Sequence, residues 1–262
     1  MRLKDFNLAA LWAAAPRTAL SGQLQAKPQG QGWAVQADLR NAAPAPADQG
    51  GLPLTRVQAH LQQDGERWRL SELQVDTAGG QVRGQAQVRV HPSDAAWQFS
   101  DWQGEVQWRQ VQLQQWWAAA SPMTLDGEAD ARLLSAPEAS PARIAWQVDG
   151  RAQPPSTPAR TEAAPRLQLQ GEWQAPWQEP AAGVLTLRRA QWRGAGVQGQ
   201  AQGQWDHAQR AWDGQIELQL PGARLDSQGR IAAREGQGDL RWQVSDAAQV
   251  LRWLNSLRQW PW

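Results

Sequence analysis

The stretch WDGQIELQL at residues 212–220 carries the pattern that decides the fold. Its apolar side chains, Trp212, Ile216 and Leu218, alternate with the polar side chains of Asp213 and Gln215. A period of two residues places alternate side chains on opposite faces of an extended strand. The stretch therefore predicts a β-strand with one apolar face and one polar, solvent-facing face.

The same alternation recurs along the chain, in residues 33–40, 82–90 and 102–109. The apolar positions are rich in Trp, Val and Ile, which suit a pleated surface, and the polar positions are mostly Gln and Arg. Turn sequences at 76–80, 193–196 and 221–222 separate such runs. The pattern predicts a mainly β protein in which consecutive strands pair antiparallel.

A short phrase, apolar-x-Gly-x-small or apolar-x-apolar, recurs within the strands. It reads LSGQLQA from Leu20, VRGQAQV from Val82, WQGEVQW from Trp102, LDGEADA from Leu125, LQGEWQA from Leu169, VQGQAQG from Val197 and WDGQIEL from Trp212. Each glycine takes the apolar phase of its strand, where a missing side chain marks a bend or a close approach. A regular series of such bends predicts an elongated sheet that curls into a groove.

Three copies of one apolar constellation predict short amphipathic helices. The copies are Leu8, Leu11, Trp12 and Ala15; Leu113, Trp116, Trp117 and Ala120; and Val250, Trp253, Leu254 and Leu257. The third helix is expected over residues 246–259, with Ser245 or Asp246 as its N-cap. This repeat explains the apolar N-terminus better than a signal peptide does. The third copy stops at Trp262 in mid-unit, so the chain is expected to be a piece of a longer repetitive protein.

Residues 1–262 are predicted to form one continuous repetitive β region. Loops are expected at residues 41–53, 135–143 and 152–166, which are rich in Pro, Ala and Ser, and the last is long enough to be mobile. Strand character is equal on both sides of 152–166. That equality argues against two separate domains.

The composition of the chain excludes several classes of function. The chain has 262 residues, 41% of them hydrophobic, a net charge of +1 and no cysteine. The small net charge gives no field that would attract nucleic acid or an anionic membrane. Disulfides and thiolate chemistry are excluded, and a cysteine-free chain is compatible with an oxidising compartment. No apolar run is long enough for a membrane-spanning helix.

Catalytic and metal-binding motifs are not expected. The three histidines, His60, His91 and His207, lie far apart in the chain without the spacing of metal ligands. Gly194, Gly196 and Gly199 spell G-x-G-x-x-G, but in a hairpin context that lacks the helix a dinucleotide site needs. Carboxylate pairs such as Glu128 with Asp130, or Asp213 with Glu217, fall on wet strand faces. We therefore predict a protein that is not an enzyme and that has no cofactor.

The apolar face itself is the candidate site. A dozen strands spaced by roughly 4.8 Å make a sheet about 55 Å long, whose apolar face exceeds what soluble monomers expose. The sheet must close on itself, pack on another sheet, or hold something apolar. Residues predicted to line this apolar groove are Trp33, Val35, Leu39, Val82, Val88, Trp102, Val106, Trp108, Leu169, Trp173, Val197, Trp212, Ile216 and Leu218.

Three segments carry a family resemblance. They are LKDFNLAALWAAAPRTALSGQLQA at 3–26, LQLPGARLDSQGRI at 218–231 and GDLRWQVSDAAQVLRWL at 238–254. The first resembles the repeating element of the AsmA-like superfamily, and the other two resemble the C-terminal half of the superfamily's translocation and assembly module (TamB) family, so the chain resembles an internal or C-terminal-half fragment. The resemblance covers most of the chain as a pattern. The abundance of Trp and the lack of the family's conserved C-terminal region are departures from it.

The resemblance implies a long curled sheet that crosses the periplasm, anchored in the inner membrane through a segment outside this chain. It implies a role in outer-membrane biogenesis: phospholipid acyl chains in the groove, and an Omp85-class outer-membrane barrel protein as partner. Two alternatives stay open. One is a scaffold that pairs its sheet edge with unfolded barrel strands. The other is a Trp-rich carbohydrate-binding β-sandwich, for which the Trp rings would have to be exposed.

Overall fold

The computed structural model describes residues 1–10, 15–92, 97–120, 122–135, 141–153, 164–176, 182–194, 196–232 and 235–257. The fold is mainly β, with 71% of the residues in strands. In this described part of the chain the strands form a 15-stranded antiparallel sheet, accompanied by two short α-helices. The order of the strands in the sheet is their order in the chain. The predicted fold class is therefore confirmed.

The chain divides into two compact units, which are described separately. The first consists of Met1–Glu128 with Gln153–Pro155, and the second of Ala129–Ala152 with Ser156–Trp262. The division falls within one strand. The prediction of a single continuous region stays a prediction.

The first unit is built from hairpins of long strands. Its strands are β1 (Arg2–Phe6), β2 (Leu20–Gln29), β3 (Gly32–Asn41), β4 (Leu54–Asp64), β5 (Arg67–Thr77), β6 (Gln81–Pro92), β7 (Trp97–Gln112) and the beginning of β8 (Thr124–Leu133). The predicted turn between β5 and β6 is confirmed, because the Thr77 N–H donates to the Gly80 carbonyl over 2.8 Å. The predicted loop at 41–53 contains one 3-10 turn, Ala47–Gln49.

The second unit continues the same construction. It contains the end of β8, then β9 (Ala142–Gln153), β10 (Arg166–Ala175), β11 (Val184–Gly194), β12 (Val197–Asp206), β13 (Ala211–Leu220), β14 (Ala223–Ala232) and β15 (Gly236–Val244). The predicted turn at Pro221–Gly222 is confirmed between β13 and β14. β9 begins inside the loop expected at 135–143 and runs two residues into the loop expected at 152–166. Residues 136–140 and 154–163 lie outside the described residues.

The three helix predictions have different outcomes in the structure. The first constellation gives a 3-10 helix, Leu8–Ala10, and residues 11–14 lie outside the described residues. The second gives α1 (Leu113–Trp116), a single turn that ends where Trp117 becomes extended (φ −135°, ψ 110°). The third is confirmed as α2 (Ala247–Leu257), with residues 258–259 outside the described residues. The Asp246 carboxylate accepts the Gln249 N–H at 2.9 Å, so Asp246 is the N-cap.

In β5, β7 and β11 the strict alternation is broken, and each break is absorbed by a β-bulge. The apolar phase slips by one residue between Leu70 and Leu73 in β5, and between Leu187 and Ala190 in β11. In β7 the apolar phase slips in the same way, at a bulge that lies opposite Gln87 and Arg89 of β6. A bulge places two residues opposite one, so the side chains beyond it return to their original face. The apolar side chains therefore stay on one face along the whole strand.

Candidate functional site

In the first unit the strand register brings the apolar side chains together on one face. One row across the strands is Leu39, Val57, Val75, Val82 and Trp108, in which each residue pairs with the next. The neighbouring rows contain Val35, Leu61, Leu70, Ala37, Ala59, Leu73, Gly84 and Val106. Directly opposed side chains of antiparallel strands lie about 4.5–5.5 Å apart at Cβ, so each row is a line of contacts. We call this surface the apolar face of the first unit.

In the second unit the register builds an equivalent surface over β9–β15. One row is Val148, Leu169, Ala190, Ala201, Ile216, Ser227 and Leu240, and another is Ile144, Trp173, Leu185, Trp205, Trp212 and Ile231. Seven strands spaced by about 4.8 Å give a width of roughly 30 Å, and strands of about ten residues give a similar length. We call this surface the apolar face of the second unit.

Between these two rows runs a line of glycines. Gly171, Gly203, Gly214, Gly229 and Gly238 occupy one position on β10, β12, β13, β14 and β15, and Leu187 fills the same position on β11. A Cβ atom at Gly214 would lie 2.3 Å from the Gln202 carbonyl oxygen and 2.8 Å from the Trp212 ring. The indole of Trp212 therefore occupies the space that a side chain at Gly203 or Gly214 would need. The predicted role of these glycines as sites of close approach is confirmed.

Neighbouring side chains, and not a covering layer, bury the apolar faces. Of the predicted groove residues, all except Trp33 are half-buried, and Trp33 is 49% exposed near the β2–β3 and β4–β5 hairpins. Among the described residues, every extensive contact between elements joins consecutive strands. The opposite face, by contrast, is largely exposed. Side chains crowd on the inner face of a curled sheet, so this difference indicates that each unit curls towards its apolar face.

The apolar surface is most open at the last strand. All nine residues of β15 are exposed, including Leu240 at 68% and Trp242 at 52%. α2 does not cover them. Its Trp253 reaches Gly196 in the β11–β12 turn, and its N-terminus is hydrogen-bonded to Gly222 in the β13–β14 turn.

The other face of each unit is polar and is organised by ion pairs. In the first unit Arg56 donates two hydrogen bonds to Asp38, at 2.8 and 2.6 Å. The hydrogen bonding from Arg56 lowers the pKa of the Asp38 carboxyl below its ordinary value. A lowered carboxyl pKa keeps the group ionised, which suits an ion pair and is the opposite of what a general acid at neutral pH requires.

In the second unit two carboxylates have the same character. Glu172 accepts from Arg143 at 2.7 Å and also pairs with Arg188, and the bond from Arg143 is the main reason that its pKa is lowered. Asp149 accepts from Arg166 Nε at 3.0 Å and from Gln168 at 2.7 Å, and hydrogen bonding from Arg166 lowers its pKa. These ion pairs and hydrogen bonds link neighbouring strands on the polar face.

The histidines and carboxylates considered as chemical sites lie apart from the apolar faces. His60 is on the polar face of β4, the Nδ1 atom of His91 lies 2.9 Å from the Oε2 atom of Glu66, and His207 is in an exposed turn. Asp213 and Glu217 are on the polar face of β13. Within the described residues no group of three or more His, Cys, Asp or Glu side chains forms a metal-binding cluster.

The structure therefore brings the predicted groove residues together within each unit. Trp33, Val35, Leu39, Val82, Val88, Trp102, Val106 and Trp108 lie on the apolar face of the first unit, and Leu169, Trp173, Val197, Trp212, Ile216 and Leu218 on that of the second. Sequence reasoning missed β4 and β5, whose Val57, Leu61, Leu70, Leu73 and Val75 complete the first face. Their alternation is visible in the sequence once the phase slip after Leu70 is read as a bulge.

Comparison with known proteins gives no relative. No family model, no curated protein and no solved structure matches the chain. Among the described helices, none is long and apolar enough to cross a membrane.

Proposed function

We propose that this chain is a non-enzymatic segment of an AsmA-like, TamB-type protein whose apolar faces carry phospholipid acyl chains across the periplasm to the outer membrane. The observation that carries the proposal is an apolar face in each unit that no described element covers. A face roughly 30 Å on a side has an area of about 900 Å², beyond the few hundred Å² that monomers leave exposed to water. A flexible hydrocarbon chain is a suitable occupant, because it follows a curved surface and needs no hydrogen bonds.

The chemistry of the two faces supports an acyl chain over a polar ligand. The side chains of the apolar faces offer few polar groups, and the ion-paired carboxylates lie on the opposite face. Binding would gain about 25 cal/mol for each Å² of apolar surface removed from water. Selectivity would therefore follow the apolar chain, with little discrimination between lipid headgroups.

A carbohydrate-stacking role has less support. Sugar platforms need exposed rings close to one another, whereas Trp212 lies against Gly203 and Gly214. Trp192 and Trp242 are 38% and 52% exposed, but they are four strands apart in one row, about 19 Å. Adjacent sugar rings of one short glycan could not cover both.

The test is native mass spectrometry of the purified chain, with extraction and identification of any lipid. We expect several bound phospholipid molecules. The double variant Val106→Asp with Ile216→Asp places a carboxylate on each apolar face and should remove most of this lipid. Its matched control, Gln107→Asp with Gln215→Asp, puts the same charges on the adjacent polar positions and should retain it. Equal lipid content in the two folded variants, or quenching of Trp fluorescence by a glycan without any bound lipid, would contradict the proposal.

A further inference from the structure

The free edge of β15 has the features of a pairing surface. Among the described strands, β15 is the last in the sheet order and none of them pairs with its outer edge, and its register with β14 runs without a bulge. The strand at the other end, β1, has only five residues, and its register is interrupted between Leu3 and Phe6. Natural edge strands are often shortened or bulged, as β1 is, whereas β15 is neither.

The hydrogen-bonding direction of β15 follows from the turns at its two ends. The Ala232 N–H donates to the Glu235 carbonyl over 2.8 Å, and the Ser245 N–H donates to the Gly222 carbonyl over 2.9 Å. Hydrogen-bonded and non-hydrogen-bonded pairs alternate along an antiparallel ladder. The backbone groups that point away from β14, towards the free edge, are therefore those of Gly236, Gly238, Leu240, Trp242 and Val244.

These five residues are arranged symmetrically about Leu240, the midpoint of the strand. If a second β15 pairs antiparallel with its Leu240 opposite this Leu240, all the outward-pointing backbone groups are satisfied. Each Trp242 then lies opposite a Gly238, and each Val244 opposite a Gly236. Trp opposite Gly is the arrangement the sheet already uses, in the pairs Trp146 with Gly171 and Trp192 with Gly199.

The same register also places side chains of opposite charge across from each other. On the polar face Asp239 of one copy would lie opposite Arg241 of the other, and the two-fold symmetry makes this pair twice. Directly opposed charges of opposite sign stabilise an antiparallel pair, whereas like charges destabilise it. We propose that β15 is a homodimerisation edge that pairs with β15 of a second copy of this chain, two-fold about Leu240, and extends the apolar face of the second unit into that of its partner.

Sedimentation velocity of the full chain over a range of concentrations tests the dimer. One edge-to-edge contact buries less than a standard interface, so we expect a dissociation constant on the order of micromolar. Asp239→Arg should weaken dimerisation on the order of tenfold, because it sets two arginines opposite each other twice. Arg241→Asp should weaken it similarly. The double variant, or an equimolar mixture of the two single variants, restores opposite charges and should dimerise again.

Cross-linking tests the register. Opposed Cα atoms in a hydrogen-bonded antiparallel pair lie about 5.5 Å apart, within reach of a disulfide. Because the chain has no cysteine, Leu240→Cys is the only thiol in that variant and should give a covalent dimer on mild oxidation. Ile231→Cys is a control of similar exposure (56%) on β14, away from the edge, and should stay monomeric.

Three results would overturn the proposal. The first is a monomer at every concentration. The second is cross-linking of Ile231→Cys as fast as that of Leu240→Cys. The third is a monomer in which the outward-pointing amides of β15 resist hydrogen exchange, since another strand, from this chain or from a bound barrel-strand peptide, would then occupy the edge.

Discussion

Adding one methyl group to the glycine line should destabilise the second unit far more than the same change elsewhere on an apolar face. In Gly214→Ala the new Cβ would lie 2.3 Å from the Gln202 carbonyl oxygen, 2.7 Å from the Gly203 Cα and 2.8 Å from the Trp212 ring. Two of these three atoms belong to the backbone of β12, so the strands must separate. Overpacking of this kind costs about 1–3 kcal/mol, against the 0.5–1 kcal/mol that a strand gains when alanine replaces glycine. We expect a net loss of about 1 kcal/mol.

The matched control is Gly104→Ala on the apolar face of the first unit. Its Cβ would meet nothing closer than 3.6 Å, which is ordinary contact. The free energy of unfolding should therefore be unchanged or rise by up to about 1 kcal/mol. Urea unfolding followed by circular dichroism measures both variants, and amide hydrogen exchange in β12–β14 localises the effect. Equal stability of the two variants would refute the idea that close approach across the glycine line sets the curl.

Three further predictions concern the polar face and α2. Glu172→Gln should lower the free energy of unfolding at pH 7 by about 1 kcal/mol, measured by urea titration, because Arg143 and Arg188 lose their carboxylate partner. The stability that ionised Glu172 contributes to the wild type is fully present above the ordinary Glu pKa of 4.5 and is lost as the pH falls through the lowered folded pKa, so the stabilities of the two proteins should converge at acidic pH. Raising the salt concentration to about 1 M should also shrink their difference at pH 7, because these side chains are partly exposed; an undiminished difference would assign the effect to packing. Asp246→Ala should lower the free energy of unfolding by about 1 kcal/mol, because it removes the N-cap of α2. Since it removes only that cap, amide hydrogen exchange should become faster in α2 but not in β13.

Much of the candidate site could be predicted from the sequence because a strand repeats its side-chain direction every two residues. The alternation around Ile216 and Val106 was enough to assign both to an apolar face. The bulged strands show the limit of that reasoning. A strict period of two would send Leu70 and Leu73 to opposite faces, whereas the bulge returns them to the same one.

The helices show a different limit. Apolar spacing alone predicted a full amphipathic helix from Leu113 to Ala120, but only one turn forms before Trp117 becomes extended. An isolated short helix is marginal, because nucleation is costly and few hydrogen bonds follow it. α2 has a longer apolar stripe, an Asp246 cap and hydrogen bonds to Gly222, and it forms over Ala247–Leu257.

The sequence by itself determined that the chain is a meander of strands with one apolar and one polar face, because alternation and turn residues act over a few neighbouring positions. Only the tertiary structure decided how those faces are used. It aligned Gly171, Gly203 and Gly214 into one line beside Trp212, and it left β15 exposed on all nine residues. The physical reason is register: which residues lie opposite one another depends on where each hairpin turns and where each bulge falls, and these contacts join residues that are distant in the sequence.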